Sequence, residues 1–184
     1  VPQRLTYHAH MLGKVLNVAL DAGYVAEYGG VQEAWLKNIS STYSAYPKMA
    51  IYHDPIFAPC FDKYGVANTE KGTKHWVPTF EDQGFMAAFE HHTHYFKRTK
   101  ALKARVEADD GVVYLGSGSW GVEPNKCKPE KDKDGIYAAF GNINHIWVIN
   151  IDQSTDKVHY QAYATNGTVD TPFSMDMKLY TKKI

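Results

Sequence analysis

Cysteine is scarce in this 184-residue chain, long apolar runs are absent, and neither sign of charge prevails. Two cysteines, Cys60 and Cys127, are too few for a disulfide framework and lack metal-site spacing, which leaves one disulfide and two free thiols equally open. No stretch approaches the roughly 18 apolar residues that a bilayer requires, so no membrane partner is expected. Twenty Lys and Arg balance twenty Asp and Glu, so no net field draws nucleic acid by counterion release. Neither GxGxxG nor a P-loop is found, which argues against a nucleotide cofactor. No leader pattern of basic, apolar and small residues opens the chain. Asn38-Ile39-Ser40 and Asn166-Gly167-Thr168 are glycosylation acceptors if the protein is secreted, and its compartment stays open.

What is present suits one globular domain over residues 1–184, because a chain of this size buries about 70% of its surface on folding. Aromatic residues make up 14%, with 13 Tyr and 4 Trp, enough to line a large cavity or a contact surface. Leu12, Val15, Leu16, Ala19 and Leu20 recur at helical spacing, and Val31, Ala34, Trp35, Asn38, Ile39 and Tyr43 predict a second helix ended by Pro47. A short strand or turn is expected over 49–57 and a long loop over 58–80. A third helix is read from Asp82 to Phe96, with Phe85, Ala88, Phe89, His92, Tyr95 and Phe96 on one face. From residue 101 the period becomes two. Strands are expected at 101–108, 112–122, 137–152 and 158–165, with a last one near Met175 to Tyr180. The fold class read from this pattern is α+β, with N-terminal helices packed on a curved antiparallel sheet.

Three segments carry a family resemblance: Tyr52-His53-Asp54-Pro55-Ile56-Phe57, Gly84-Phe85-Met86-Ala87-Ala88-Phe89 and Asp156-Lys157-Val158-His159-Tyr160-Gln161. Their order resembles the SnoaL-like polyketide cyclase branch of the nuclear transport factor 2-like superfamily. The resemblance implies helices and a bent sheet around a conical pocket. In some cyclases of that branch the last strand ends in an Asp, and the matching position here is Asn166. The activity implied is a cofactor-independent lyase, cyclase or isomerase acting on an apolar, oxygenated small molecule. The alternative is a non-catalytic small-molecule binding protein of the same fold, and an exposed aromatic sheet face suggests a homo-oligomer.

Candidate chemistry rests on nine histidines, since imidazole exchanges protons near neutral pH. His92 on the apolar face of the third helix must find a partner or line a cavity. His53 and Asp54 are adjacent, and a carboxylate can fix a histidine tautomer. His145 shares a strand face with Trp147, Ile149 and Ile151. These four, His92, His53, Asp54 and His145, are the acid–base candidates. Tyr52, Phe89, Tyr114, Trp120, Trp147, Gln161, Tyr163 and Asn166 are the ligand-lining candidates. The run His91-His92-Thr93-His94 does not converge on a cation if it is helical, so no metal is expected. A metal there would need a further ligand such as His53 or His145.

Overall fold

The computed structural model describes residues 6–58, 65–116, 119–124, 135–164, 167–168 and 170–181. Cys60, Cys127 and Asn166 lie outside the described residues. Where the spacing predicts a first helix, the chain turns at Gly13 and Lys14 to form a hairpin, β1 (His8–Leu12) and β2 (Val15–Ala19). Gly13 takes φ of +57°, the left-handed conformation that such a turn requires. Read with period two, Leu16 and Val18 face one core and Val15 the other. The second helix forms as α1 (Val31–Thr42), with Leu36 buried, and β3 (Lys48–Tyr52) follows.

Much of the expected loop is helical: α2 (Gly65–His75) and α3 (Val77–Asp82). Trp76 between them is fully buried, stacks on Tyr28 at 4.3 Å and donates from Nε1 to the Tyr28 carbonyl at 3.0 Å. That anchor, together with the Thr69 hydroxyl donating to the Pro55 carbonyl at 3.0 Å, ties α2 to the core, since short helices depend on tertiary packing.

The third predicted helix is two strands. β4 (Phe85–Glu90) is almost wholly buried, a turn follows, and β5 (Phe96–Lys103) leads away. A continuous apolar run satisfies helical spacing and also suits a strand buried on both faces, and its length, six residues, decides for the strand. Ala104 and Arg105, both at positive φ, turn β5 into β6 (Val106–Glu107), so the expected strand through Ala108 is a short hairpin. β7 (Val112–Gly116) and β8 (Tyr137–Gly141) both pair with β5. A second sheet holds β9 (His145–Asp152), β10 (Lys157–Ala164), β11 (Gly167–Thr168) and β12 (Phe173–Asp176), and a 3-10 turn spans Met177–Tyr180. The strand expected over 137–152 is therefore divided between two sheets.

The large sheet runs β1-β2-β3-β4-β7-β5-β6, with β8 added on β5. Its centre, β2, β3, β4 and β7, is parallel. One face packs on Leu36, Trp76 and Phe80 of the helical layer, and the other on Val158, Tyr160 and Met175 of the small sheet. This corrects the expected architecture. The molecule is a helix–sheet–sheet sandwich with a parallel centre, not helices on a curved antiparallel sheet, and among the described residues both faces of the large sheet are packed against other layers rather than enclosing a conical pocket. No helix among the described residues is long and apolar enough to cross a membrane.

Tyr52, Glu90 and Gly116, the last residues of β3, β4 and β7, stand in register on one row. Open sheets with parallel strands bind ligands beyond that carboxyl edge, where the loops gather.

Candidate metal centre

The loop after β3 begins with His53 and Asp54, and the loop after the adjacent β4 is His91 to Tyr95. His91 N–H donates to the His53 carbonyl at 2.9 Å, so the loops run side by side past the sheet edge. His92 and His94 have φ of 55° and 38°, a conformation costly for residues with a Cβ and one that clusters at functional sites. The turn brings His92 Nδ1 to 3.1 Å from His53 Nε2 and 3.7 Å from Asp54 Oδ1. One donor atom from each of the three residues lies within 4.8 Å of the others.

The surroundings orient each donor. Asp54 is buried; its Oδ2 accepts from Asn68 Nδ2 at 2.6 Å and its Oδ1 from the Tyr24 hydroxyl at 3.3 Å. Burial holds the His53 imidazole below its ordinary pKa; Asp54 opposes this, and His92, His91 and His94 reinforce it. Its neutral form, with a lone pair to give, is thereby favoured. His91 Nδ1–H donates to the Tyr52 carbonyl at 2.8 Å, which fixes the orientation of its ring.

Beneath the loops sits a fully buried ion pair that sequence reasoning missed. Lys97 of β5 donates to Glu90 and to the Phe57 carbonyl. Glu90 Oε1 also accepts from the Tyr52 hydroxyl and from Ile56 N–H, each at 2.7 Å. A carboxylate at the end of β4 therefore anchors the far side of the loop that carries His53 and Asp54. Burial pushes the Lys97 ammonium pKa down and Glu90 opposes it. The signal in the sequence was a Glu closing an apolar run, which reads as the polar edge of a helix until β4 is recognised.

The other candidates lie elsewhere. Tyr52 is core, with its hydroxyl on Glu90, and Tyr114 is core against Phe57 at 4.3 Å. Phe89 and Trp147 pack between the two sheets. Gln161 bonds the Asp170 carbonyl at 3.2 Å, Tyr163 is exposed on the small sheet, and Trp120 is exposed after β7.

His145 is fully buried. Its Nε2 lies 2.7 Å from the Gly116 carbonyl, and Nδ1 lies 3.0 Å from the Ile143 carbonyl and 3.3 Å from Ser119 Oγ. It pins the end of β7 rather than joining His53 and His92. Burial lowers its pKa, opposed by both carbonyls and supported by His91. The folded protein thus binds fewer protons here than the unfolded chain, so stability falls as pH drops below the ordinary histidine pKa of about 6.5. Urea unfolding midpoints at pH 7.5 and 5.5 are expected to differ less in His145→Gln than in the parent; an equal difference would exclude this source.

The two donor separations from His92 Nδ1 fit a cation. Ligand atoms about 2.0–2.1 Å from a tetrahedral ion stand about 3.3 Å apart, and 3.1 and 3.7 Å bracket that separation. Of the run His91-His92-Thr93-His94 only His92 joins the cluster, because 91–95 is a turn, and the partners it meets there are His53 and Asp54.

No protein-family model matches the chain, and no curated protein matches it. Among solved structures it is similar to a purple acid phosphatase, PPD1, from yellow lupin seeds, with TM-score 0.74 and 11% identity over 92% of this chain and 32% of that one. GAP50, the anchor in the inner membrane complex of Plasmodium, gives 0.66 and 10% over 93% and 53%. PhoD gives 0.63 and 8% over 95% and 41%. The chain thus spans between about a third and about half of these structures. The likeness is one of fold, and it overturns the SnoaL-like, nuclear transport factor 2-like assignment. With that assignment goes the reading as a cofactor-independent lyase, cyclase or isomerase, or as a binding protein of that fold, since the described residues form no cone and His53 and His92 meet at a sheet edge.

Proposed function

We propose that this chain contributes metal-ligating residues to a metal-dependent phosphoesterase. The observation that carries the reading is the convergence of His53 Nε2, His92 Nδ1 and Asp54 at the carboxyl edge of a parallel sheet. Support comes from the fold shared with a structure described as a phosphatase. His53 and His92 would hold the cation by ring nitrogens and Asp54 by its carboxylate, a donor set that suits zinc or another first-row ion. When bound, such an ion polarises a phosphoryl oxygen toward nucleophilic attack. The remaining work belongs to the chain. Asn68 aims the Asp54 carboxylate, the Glu90 and Lys97 pair holds the loop from His53 to Phe57, and the covered sheet faces exclude water from below.

Titration of Zn²⁺ or Mn²⁺ followed by calorimetry tests the reading. His53→Ala and His92→Ala are each expected to weaken cation binding by about a hundredfold, since even partners of metal ligands are worth 10- to 100-fold. Unchanged affinity in both variants would sink it. Hydrolysis of phenyl phosphate by the loaded chain, abolished by a chelator, separates catalysis from a cation that only ties the loops together.

A further inference from the structure

Tyr24 stands at the mouth of the three-donor cluster on a loop built to hold it. Tyr24 is 66% exposed, yet the backbone beneath its ring is fixed. Buried Asp21 accepts from the amides of Tyr24 at 2.7 Å and Val25 at 3.2 Å through Oδ1. Buried Gln32 accepts from Asp21 N–H at 2.8 Å and donates to the carbonyls of Asp21 at 3.0 Å and Glu27 at 2.9 Å. An ordered loop thus presents an aromatic ring that the core does not use. The ring meets His53 edge-on at 5.7 Å, and the hydroxyl lies 3.3 Å from Asp54 Oδ1. That oxygen is also the one that faces His92, whereas Oδ2 is taken by Asn68.

Resting on the phosphoesterase reading above, we propose that Tyr24 is a substrate-contacting residue whose hydroxyl donates a hydrogen bond to a phosphoryl oxygen of the ester. The reason is competition for Asp54 Oδ1. A cation engaging that oxygen withdraws electron density and weakens it as an acceptor. The hydroxyl turns about one bond, and an anionic oxygen held at the same cation is the strongest acceptor near it. A phenol is neutral at pH 7, so Tyr24 adds to the binding of the phosphoryl group and little to that of the cation.

Tyr24→Phe removes the hydroxyl and keeps the ring against His53. The test measures, by calorimetry, the affinity of the parent and the variant for Zn²⁺ alone, and then of the Zn²⁺-loaded chains for inorganic phosphate and phenyl phosphate. The expected result is zinc affinity unchanged within about twofold and both phosphate affinities weakened about tenfold, the loss of one hydrogen bond to a charged group. Phosphate affinities equal to the parent's would overturn the proposal. So would a loss of zinc affinity as large as the loss for phosphate, which would make Tyr24 a positioning residue for Asp54. A parent chain that binds zinc but no phosphate overturns this inference alone; one that binds no zinc overturns the phosphoesterase reading with it.

Discussion

Lys97→Met is expected to lower stability by about 3–5 kcal/mol, the cost of leaving a buried charge without its partner. Both members of the pair are inaccessible to solvent, and without Lys97 the Glu90 carboxylate keeps only neutral donors: the Tyr52 hydroxyl and the amides of Ile56 and Phe57. The Phe57 carbonyl loses its donor too. Adding Glu90→Gln should recover part of the loss, because removing both charges is far less costly than removing one. Urea unfolding of the two variants gives both numbers. A single-variant loss below about 1 kcal/mol would mean that the pair carries little net charge in the core. The same change frees the loop behind His53 and Asp54, so zinc affinity should fall as well, within the 10- to 100-fold range typical of groups supporting a ligand.

Gly84→Ala is expected to cost about 3 kcal/mol and to leave zinc affinity of the folded protein unchanged. Gly84 precedes β4 with φ of +74°, where a side chain costs about 1–2 kcal/mol on backbone grounds alone. A Cβ there would also lie inside the contact distance of the Tyr180 carbonyl oxygen, and overpacking adds about 1–3 kcal/mol. The site sits at the opposite end of β4, so the damage should not reach it. Thermal unfolding together with calorimetric zinc titration checks the contrast with Lys97→Met. A parallel loss of zinc affinity would show that the two ends of the strand are coupled.

The contrast between these positions bears on what could be read from residues alone. α1 and β10 are legible because each has a single period and a clear boundary, whereas β3 reads only as a short strand or turn. β4 is not, since Phe85, Ala88 and Phe89 fit a helix face as well as a doubly buried strand, and only the neighbours of a parallel sheet choose between them. That one misreading hid the three-donor cluster: on a helix His92 faces the core, and in a turn at positive φ it meets His53 and Asp54. His53, Asp54 and His92 were recognisable individually as chemistry-bearing residues. Their meeting depends on β3 lying beside β4, a pairing that spans 38 residues from Tyr52 to Glu90 and leaves no local trace. Glu90, Lys97 and Tyr24 were missed for the same reason, since a buried ion pair and an exposed loop tyrosine acquire roles only from what the topology sets against them.

The two sheets also differ in how they can come together in time. β9 and β10 are joined by the turn at 153–156 and pair along their whole length, so closing their hairpin costs little chain entropy. In the large sheet β2 and β3 must wait for the crossover through α1, β3 and β4 for that through α2 and α3, and β4 and β7 for the chain to return through β5 and β6. Non-local parallel pairing is the slow kind. His53 and His92 are therefore expected to become neighbours late in folding, when β3 and β4 lock in register, an order that refolding rates with and without Zn²⁺ test. A cation present during refolding would then slow unfolding without hastening the formation of the native state, because it can grip only what the completed sheet has already brought together.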